Sequence, residues 1–168
     1  MDLYISGEEI PTDKIKQAIR KGTIANSLVP VYCGSSFRNK GIQPILDGVI
    51  DYLPSPLDLP PVKAFDARTK EFVQDIHPDE NGPFIAMAFK IMVDPYVGKL
   101  TFARVYSGKL EKGNYVLNTT KGVKERISRL MFLHADQREE VDYITTGDIV
   151  GIIGLKDTTT GETIAQEG

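Results

Sequence analysis

The sequence holds one cysteine, Cys33, and two histidines, His77 and His134, among 168 residues. A single thiol cannot build an internal disulfide framework and suits a reducing compartment. Zinc wants clustered cysteine and histidine ligands, so these three scattered residues offer no metal centre. Long apolar runs are also missing, and none approaches the length that crosses a bilayer. The N-terminal stretch Met1 to Glu9 lacks a basic region followed by an apolar core, so it does not read as a secretory signal. These absences predict a cytoplasmic protein with no membrane partner. Positive charge is not in excess either: 20 Lys and Arg face 23 Asp and Glu, for a net charge of −3. Bulk attraction to nucleic acid is thereby excluded, and any RNA contact must come from a local basic patch.

A phosphate-binding loop is absent as well. Such a loop needs Gly-x-x-x-x-Gly-Lys-Ser/Thr, so that backbone amides cradle the phosphates and the hydroxyl reaches magnesium. Gly34-Ser-Ser-Phe-Arg-Asn-Lys-Gly41 mimics that outline but places Asn39 at the second glycine and Gly41 at the hydroxyl position. Asp79-Glu-Asn-Gly82 has the spacing of a magnesium-side motif, yet Pro78 and Pro83 flank it and it reads as a turn. Asn39-Lys40 lacks the following aspartate that would read guanine. No nucleophile and base stand at a supporting spacing.

What is present is ordinary globular chemistry, with 41% hydrophobic and 26% charged residues. The length allows one domain or two small ones. Asp13 to Lys21 reads as a helix, N-capped by Thr12 and ended by Gly22. Leu28 to Tyr32 reads as a strand, with Pro30 restricting it to an end or edge. Ile42 to Leu53 is the strongest helix: Ile42, Ile45, Leu46, Val49, Ile50 and Leu53 form one apolar stripe that wants burial. Four prolines between Pro54 and Pro61 then stop the helix and set a domain boundary, giving domains 1–58 and 59–168.

Beyond Pro61 the pattern is all strand. Val62 to Phe65 and Phe72 to Ile76 predict a hairpin around Asp66 to Lys70. Phe84 to Val93, Leu100 to Tyr106, Val123 to His134, Glu140 to Ile144, Asp148 to Leu155 and Glu162 to Ala165 follow as strands. Glu111 to Asn114 carries a glycine suited to a hairpin turn. Short strands with a turn after each suggest a barrel or sandwich. The fold class is mainly β: a barrel preceded by a helix-strand-helix α/β remnant. A lone strand between helices is one unit of an α/β sheet whose other strands are missing. The alternative is a β protein whose N-terminal helices cap the barrel.

Several motifs in order resemble elongation factor G, a translational GTPase family. Cys33-Gly-Ser-Ser-Phe-Arg-Asn-Lys-Gly41 resembles its fifth guanine-nucleotide motif, with Ser36 where the family usually has alanine. Asp51-Tyr-Leu-Pro-Ser-Pro56 is similar to its exit from the GTPase domain. Asp94 to Phe102, Arg104 to Gly108, Asn118 to Gly122, His134 to Glu140, Gly147-Asp148 and Thr160-Gly161 resemble its second domain. The resemblance implies a translation-factor β-barrel from 59 onward and the C-terminal end of a GTPase domain before it. The chain would then be an internal fragment of a longer parent that binds GTP and Mg2+, hydrolyses GTP and promotes translocation of tRNA and mRNA on the ribosome. Its partners would be small-subunit RNA and protein and the parent's remaining domains. Gly34, Ser35 and Ser36 would contact guanine in the intact parent. Lys121, Lys124, Arg126 and Arg129 are the candidate RNA contacts, although aromatics are not interleaved with them in sequence. The same region of a ribosome-protection or release-factor relative, an independent RNA-binding barrel and a small nucleotide hydrolase are the competing assignments. With no complete GTP site in its motifs, the chain alone is expected to show no saturable, magnesium-dependent binding in a fluorescent guanine-nucleotide titration. Such binding would favour the hydrolase.

Overall fold

Proline fixes φ and donates no backbone hydrogen bond, so a proline cluster is where packed elements end. The chain divides there into two compact units, Met1–Leu59 and Pro60–Gly168. The computed structural model describes residues 2–66, 68–135 and 137–167, with Asp2 and Leu3 described by backbone alone. Ala67, inside the expected hairpin turn, and Asp136, inside the His134 to Glu140 motif, lie outside the described residues.

In the first unit, helices α1 (Asp2–Ile5), α2 (Thr12–Ile24) and α3 (Ile42–Tyr52) precede a 3-10 turn at Pro56–Asp58. Two details of α2 differ from expectation. Thr12 lies inside the helix and Pro11 caps it, its carbonyl accepting from the amides of Lys14 and Ile15. Gly22 does not end it; the helix continues to Ile24, and the Gly22 carbonyl instead accepts from Ser27 and Leu28. Arg20 ties α2 to the end of α3, donating to the carbonyls of Asp51 at 3.0 Å and Leu53 at 3.3 Å and pairing with Asp58. Lys16 pairs with Asp51 at 2.7 Å.

The expected strand at Leu28 to Tyr32 does not form. The segment has no ladder partner, and Val29 and Val31 are 80% and 86% exposed. A strand needs a second segment to pair with, and none is described beside it. The stripe of α3 is likewise not buried within this unit: Ile45, Leu46, Val49, Ile50 and Leu53 are exposed. Gly48 is the one buried residue of α3; a Cβ there would fall 2.4 Å from the Tyr32 hydroxyl oxygen.

The second unit begins with the expected hairpin, β1 (Val62–Phe65) and β2 (Phe72–Ile76), paired from Val62↔Ile76 to Ala64↔Gln74 and, after a register shift, at Phe65↔Phe72. The barrel strands are β3 (Ile85–Asp94), β4 (Gly98–Ser107), β5 (Lys109–Glu111), β6 (Tyr115–Asn118), β7 (Val123–Arg126) and β8 (Arg129–His134). They continue with β9 (Gln137–Val141), β10 (Tyr143–Thr145), β11 (Ile149–Ile153) and β12 (Thr163–Ala165). Eight of them form one antiparallel sheet in the order β7-β6-β12-β3-β4-β11-β8-β9, and β5 pairs with β10 separately. The period of two is plain in β4, where Thr101, Ala103 and Val105 point inward and are buried. Val116 from β6 and Leu130 from β8, near opposite ends of the sheet order, share one core with Ala86, Val105, Ile152 and Ile164. A flat sheet could not bring them together, so the sheet is rolled.

Three boundaries differ from the sequence reading. Gly113 does take positive φ (+87°), but the strands either side pair elsewhere, so the turn is a corner between sheets and not a hairpin. Val123 to His134 is two strands, broken at Ile127 and Ser128. There the Ile127 amide donates to Asn114 at 2.9 Å and the Ser128 amide to Ile153 at 2.7 Å, which joins the two sides of the roll. Glu140 to Ile144 is likewise shared between β9 and β10. The seam at Ile127 fits because Gly154 lies against it at φ +121°; a Cβ would sit 2.3 Å from the Arg126 carbonyl oxygen and 2.7 Å from the Ser128 nitrogen. Gly154→Ala is expected to lower stability by about 2 kcal/mol or more, combining backbone strain with a backbone clash. A urea-denaturation midpoint equal to that of the unaltered chain would contradict this.

Candidate functional site

The turn from Cys33 to Gly41 is built from backbone. Ser35 and Lys40 form an isolated antiparallel bridge, with the Ser35 amide 2.9 Å from the Lys40 carbonyl and the Lys40 amide 3.0 Å from the Ser35 carbonyl. The neck of the turn is so tight that only glycine fits on both sides. A Cβ on Gly34 would meet the Lys40 carbonyl oxygen at 2.7 Å, and one on Gly41 would meet that of Cys33 at 2.9 Å. Gly41 also takes φ +77° as it enters α3, and Asn39 stands at φ +50° inside the turn. The result is a loop closed by its own backbone that carries Gly34, Ser35 and Ser36 together, Gly34 and Ser36 exposed and Ser35 half-buried. The amides of Gly34 and Ser36 have no backbone acceptor among the described residues.

The four candidate RNA contacts divide. Lys124 and Arg126 project from the outer face of β7, since the intervening Glu125 is buried. Arg129 is exposed on β8, beyond the Ile127–Ser128 break. Lys121 is drawn into a polar cluster. Its ammonium lies 3.0 Å from Glu162 and also donates to the Asp157 carbonyl.

That cluster fixes the β6–β7 turn to the loop before β12. Buried Asn118 donates to Thr158 at 3.1 Å and Glu162 at 2.7 Å, and its carbonyl oxygen accepts from the amides of Thr120 and Lys121. Buried Glu125 accepts from the Asp157 amide at 2.7 Å and from the Thr158 hydroxyl. The Thr159 amide, with Asn118 and Lys121 behind it, holds the Glu162 carboxyl down to a pKa of about 2.

The register brings in an aromatic that spacing in the sequence conceals. Tyr115 on β6 lies directly opposite Arg126, and Leu117 opposite Lys124. The Lys124 ammonium stands 5.2 Å from the centre of the Tyr115 ring, which is itself exposed. Lys124 also pairs with Glu167. Aromatic and cation are therefore interleaved across two strands although not along either one. Cross-strand neighbours of this kind are read from register, and the sequence signal for them is only that β6 and β7 flank one turn.

The family model described as elongation factor G domain 2 matches residues 83–167, half of the chain. The chain belongs to the elongation factor G family. It is 70% identical over 167 residues to elongation factor G of Petrotoga mobilis and 62% identical to that of Fervidobacterium nodosum. Identity to the Thermotoga maritima protein is 59%. Each match covers 99% of this chain and 24% of the relative, so the chain spans about a quarter of the length of the curated relatives it matches. A crystal structure of a Thermus thermophilus protein shares the fold, with a TM-score of 0.68 at 24% identity over 99% of this chain and 22% of that one. The family model begins just before β3, so the hairpin and the first unit are matched by the relatives and the solved structure and not by the model.

The depressed Glu162 carboxyl has a consequence for this family barrel. A free glutamate titrates at about 4.3, so the folded chain binds fewer protons than the unfolded chain between that value and about 2. Stability from this group is complete above the unfolded value and is lost as pH falls through the folded one. Melting temperatures from pH 6 to pH 2 are expected to fall less steeply for Glu162→Gln than for the unaltered chain. Parallel curves would show that the cluster carries no such linkage.

Proposed function

We propose that this chain is the junction of an elongation factor G: the last part of its GTPase domain, 1–58, followed by its second-domain barrel, 59–168. In the intact protein it acts in the cytoplasm as a module that docks on the small ribosomal subunit and couples that contact to the nucleotide state. The whole protein binds and hydrolyses GTP and promotes movement of tRNA and mRNA. The observation that carries this reading is 70% identity to an elongation factor G across 99% of the chain. Identity at that level across both units favours this family over a ribosome-protection or release-factor relative.

Within that frame, Gly34, Ser35 and Ser36 contact the guanine base. The tight neck supports this role, since it presents backbone amides on an exposed loop whose shape two glycines hold. The residues of this chain fit only that part of a nucleotide. No phosphate cradle is formed by its motifs, and the phosphates and magnesium would be held by the rest of the protein. The barrel contributes binding and rigid transmission, because a packed domain moves as one body when its neighbour changes state.

RNA contact falls to Lys124, Arg126 and Arg129, with Lys121 setting the turn that carries them. Exposed ion pairs such as Lys124–Glu167 are worth little, so a phosphate can replace the carboxylate. Sedimentation of the chain with small ribosomal subunits is expected to weaken as salt rises. Arg126→Ala is expected to reduce the slope of log affinity against log salt by about one. Binding that ignores salt, or an unchanged slope in the variant, would remove the basic cluster from the interface.

A further inference from the structure

The outer face of β6, β12 and β3 is largely apolar, with Thr119 and Thr163 the polar residues there, where a solvent-facing sheet would ordinarily be more polar. Leu117, Ala165, Ile85 and Met87 line a 660 Å³ cavity there, roofed by the β1–β2 hairpin with Phe65. Its size falls in the range of small-ligand sites, roughly 300 to 1,000 Å³. The Tyr115 patch lies next along β6, outside the cavity's own lining. Leu117 lines the cavity, lies two residues from Tyr115 on the same strand face, and sits opposite Lys124. Positive charge surrounds the opening. Lys63 and Arg68 are exposed at the rim and make no ion pair among the described residues. Lys124 and Arg126 border the far side. Two carboxylates stand among these cations: Asp66, which accepts from the amides of Thr69 and Arg68, and Glu167, which pairs with Lys124.

We infer that this groove takes one unstacked nucleotide of a single RNA strand, its base in the cavity beside Tyr115 and its flanking phosphates on Lys124, Arg126 and the hairpin cations. An apolar slot of this size with Phe65 and Tyr106 in its lining and Tyr115 farther along β6 suits a π-face, and cations on both sides suit a chain charged on both sides of each base. A purely apolar peptide would leave those cations unused. An RNA duplex keeps its bases stacked and cannot enter. The inference rests on the proposal that the barrel meets RNA and adds which form of RNA and which residues.

The test is a 4-thiouridine-substituted single-stranded oligoribonucleotide, photo-crosslinked to the chain and mapped by mass spectrometry, with a duplex of equal length as comparison. Crosslinks are expected at Tyr115, Leu117 or Met87, with the single strand preferred. Tyr115→Ala is expected to weaken single-strand binding about tenfold, the scale of one lost stacking contact. Met87→Trp, which fills the cavity, is expected to do the same with its melting temperature retained. If Met87→Trp does not fold, the surface variant Tyr115→Ala decides alone. Equal affinity for duplex and single strand, an undiminished Tyr115→Ala, or crosslinks that map only away from these residues would overturn the inference. Small-subunit binding that survives while oligonucleotide binding is absent overturns the nucleotide site only. Absence of both overturns the ribosome-docking proposal as well.

Discussion

The barrel depends on two backbone amides, those of Ile127 and Ser128, pointing to opposite sides of the roll. One reaches Asn114 and the other Ile153, so a short stretch of chain belongs to two edges at once. The β6 end of the sheet is thereby joined directly to the β11 side. The buried Ile127 side chain then falls into the shared core, and Gly154 supplies the space that lets the strands cross. Core, curvature and the outer face of β7 all inherit their positions from that crossing.

The outer face is the part with functional content. Burial of Val116 and Glu125 on the inside of β6 and β7 forces Tyr115, Leu117, Lys124 and Arg126 to the outside, by the alternation of a strand. Interior packing thus selects which cations face solvent. Lys121, in the turn rather than the strand, escapes that rule and is claimed by Glu162. A basic run that looks uniform in sequence is therefore two different things: a pair of outward charges and a bolt within the fold.

Legibility from sequence followed the range of the interactions. The α3 helix was readable because its periodicity is local, and the β1–β2 hairpin because its turn residues are. The break at Ile127 and Ser128 was not, since neither residue is a strand breaker and the bonds that make it come from 13 and 25 positions away. Leu28 to Tyr32 has a strand's composition, but a strand is a property of two segments. In the site, the glycines of the Cys33 to Gly41 turn were visible as a motif, while Tyr115 beside Lys124 and Arg126 needed register. Family resemblance supplied what propensity could not, because the order of motifs records long-range pairing that no single segment encodes.

The polar cluster beneath β6 and β7 also has a meaning for assembly. Glu125 is satisfied only when β7 presents it to Thr158 and the Asp157 amide. Sliding β7 by one residue would turn Glu125 to solvent and drive Lys124 or Arg126 into the core, where an unpaired charge is heavily disfavoured. An all-apolar interior would accept such a slip more readily. The buried carboxylates therefore penalise a one-residue misalignment of β7, so the polar interior fixes which side chains the barrel shows outside.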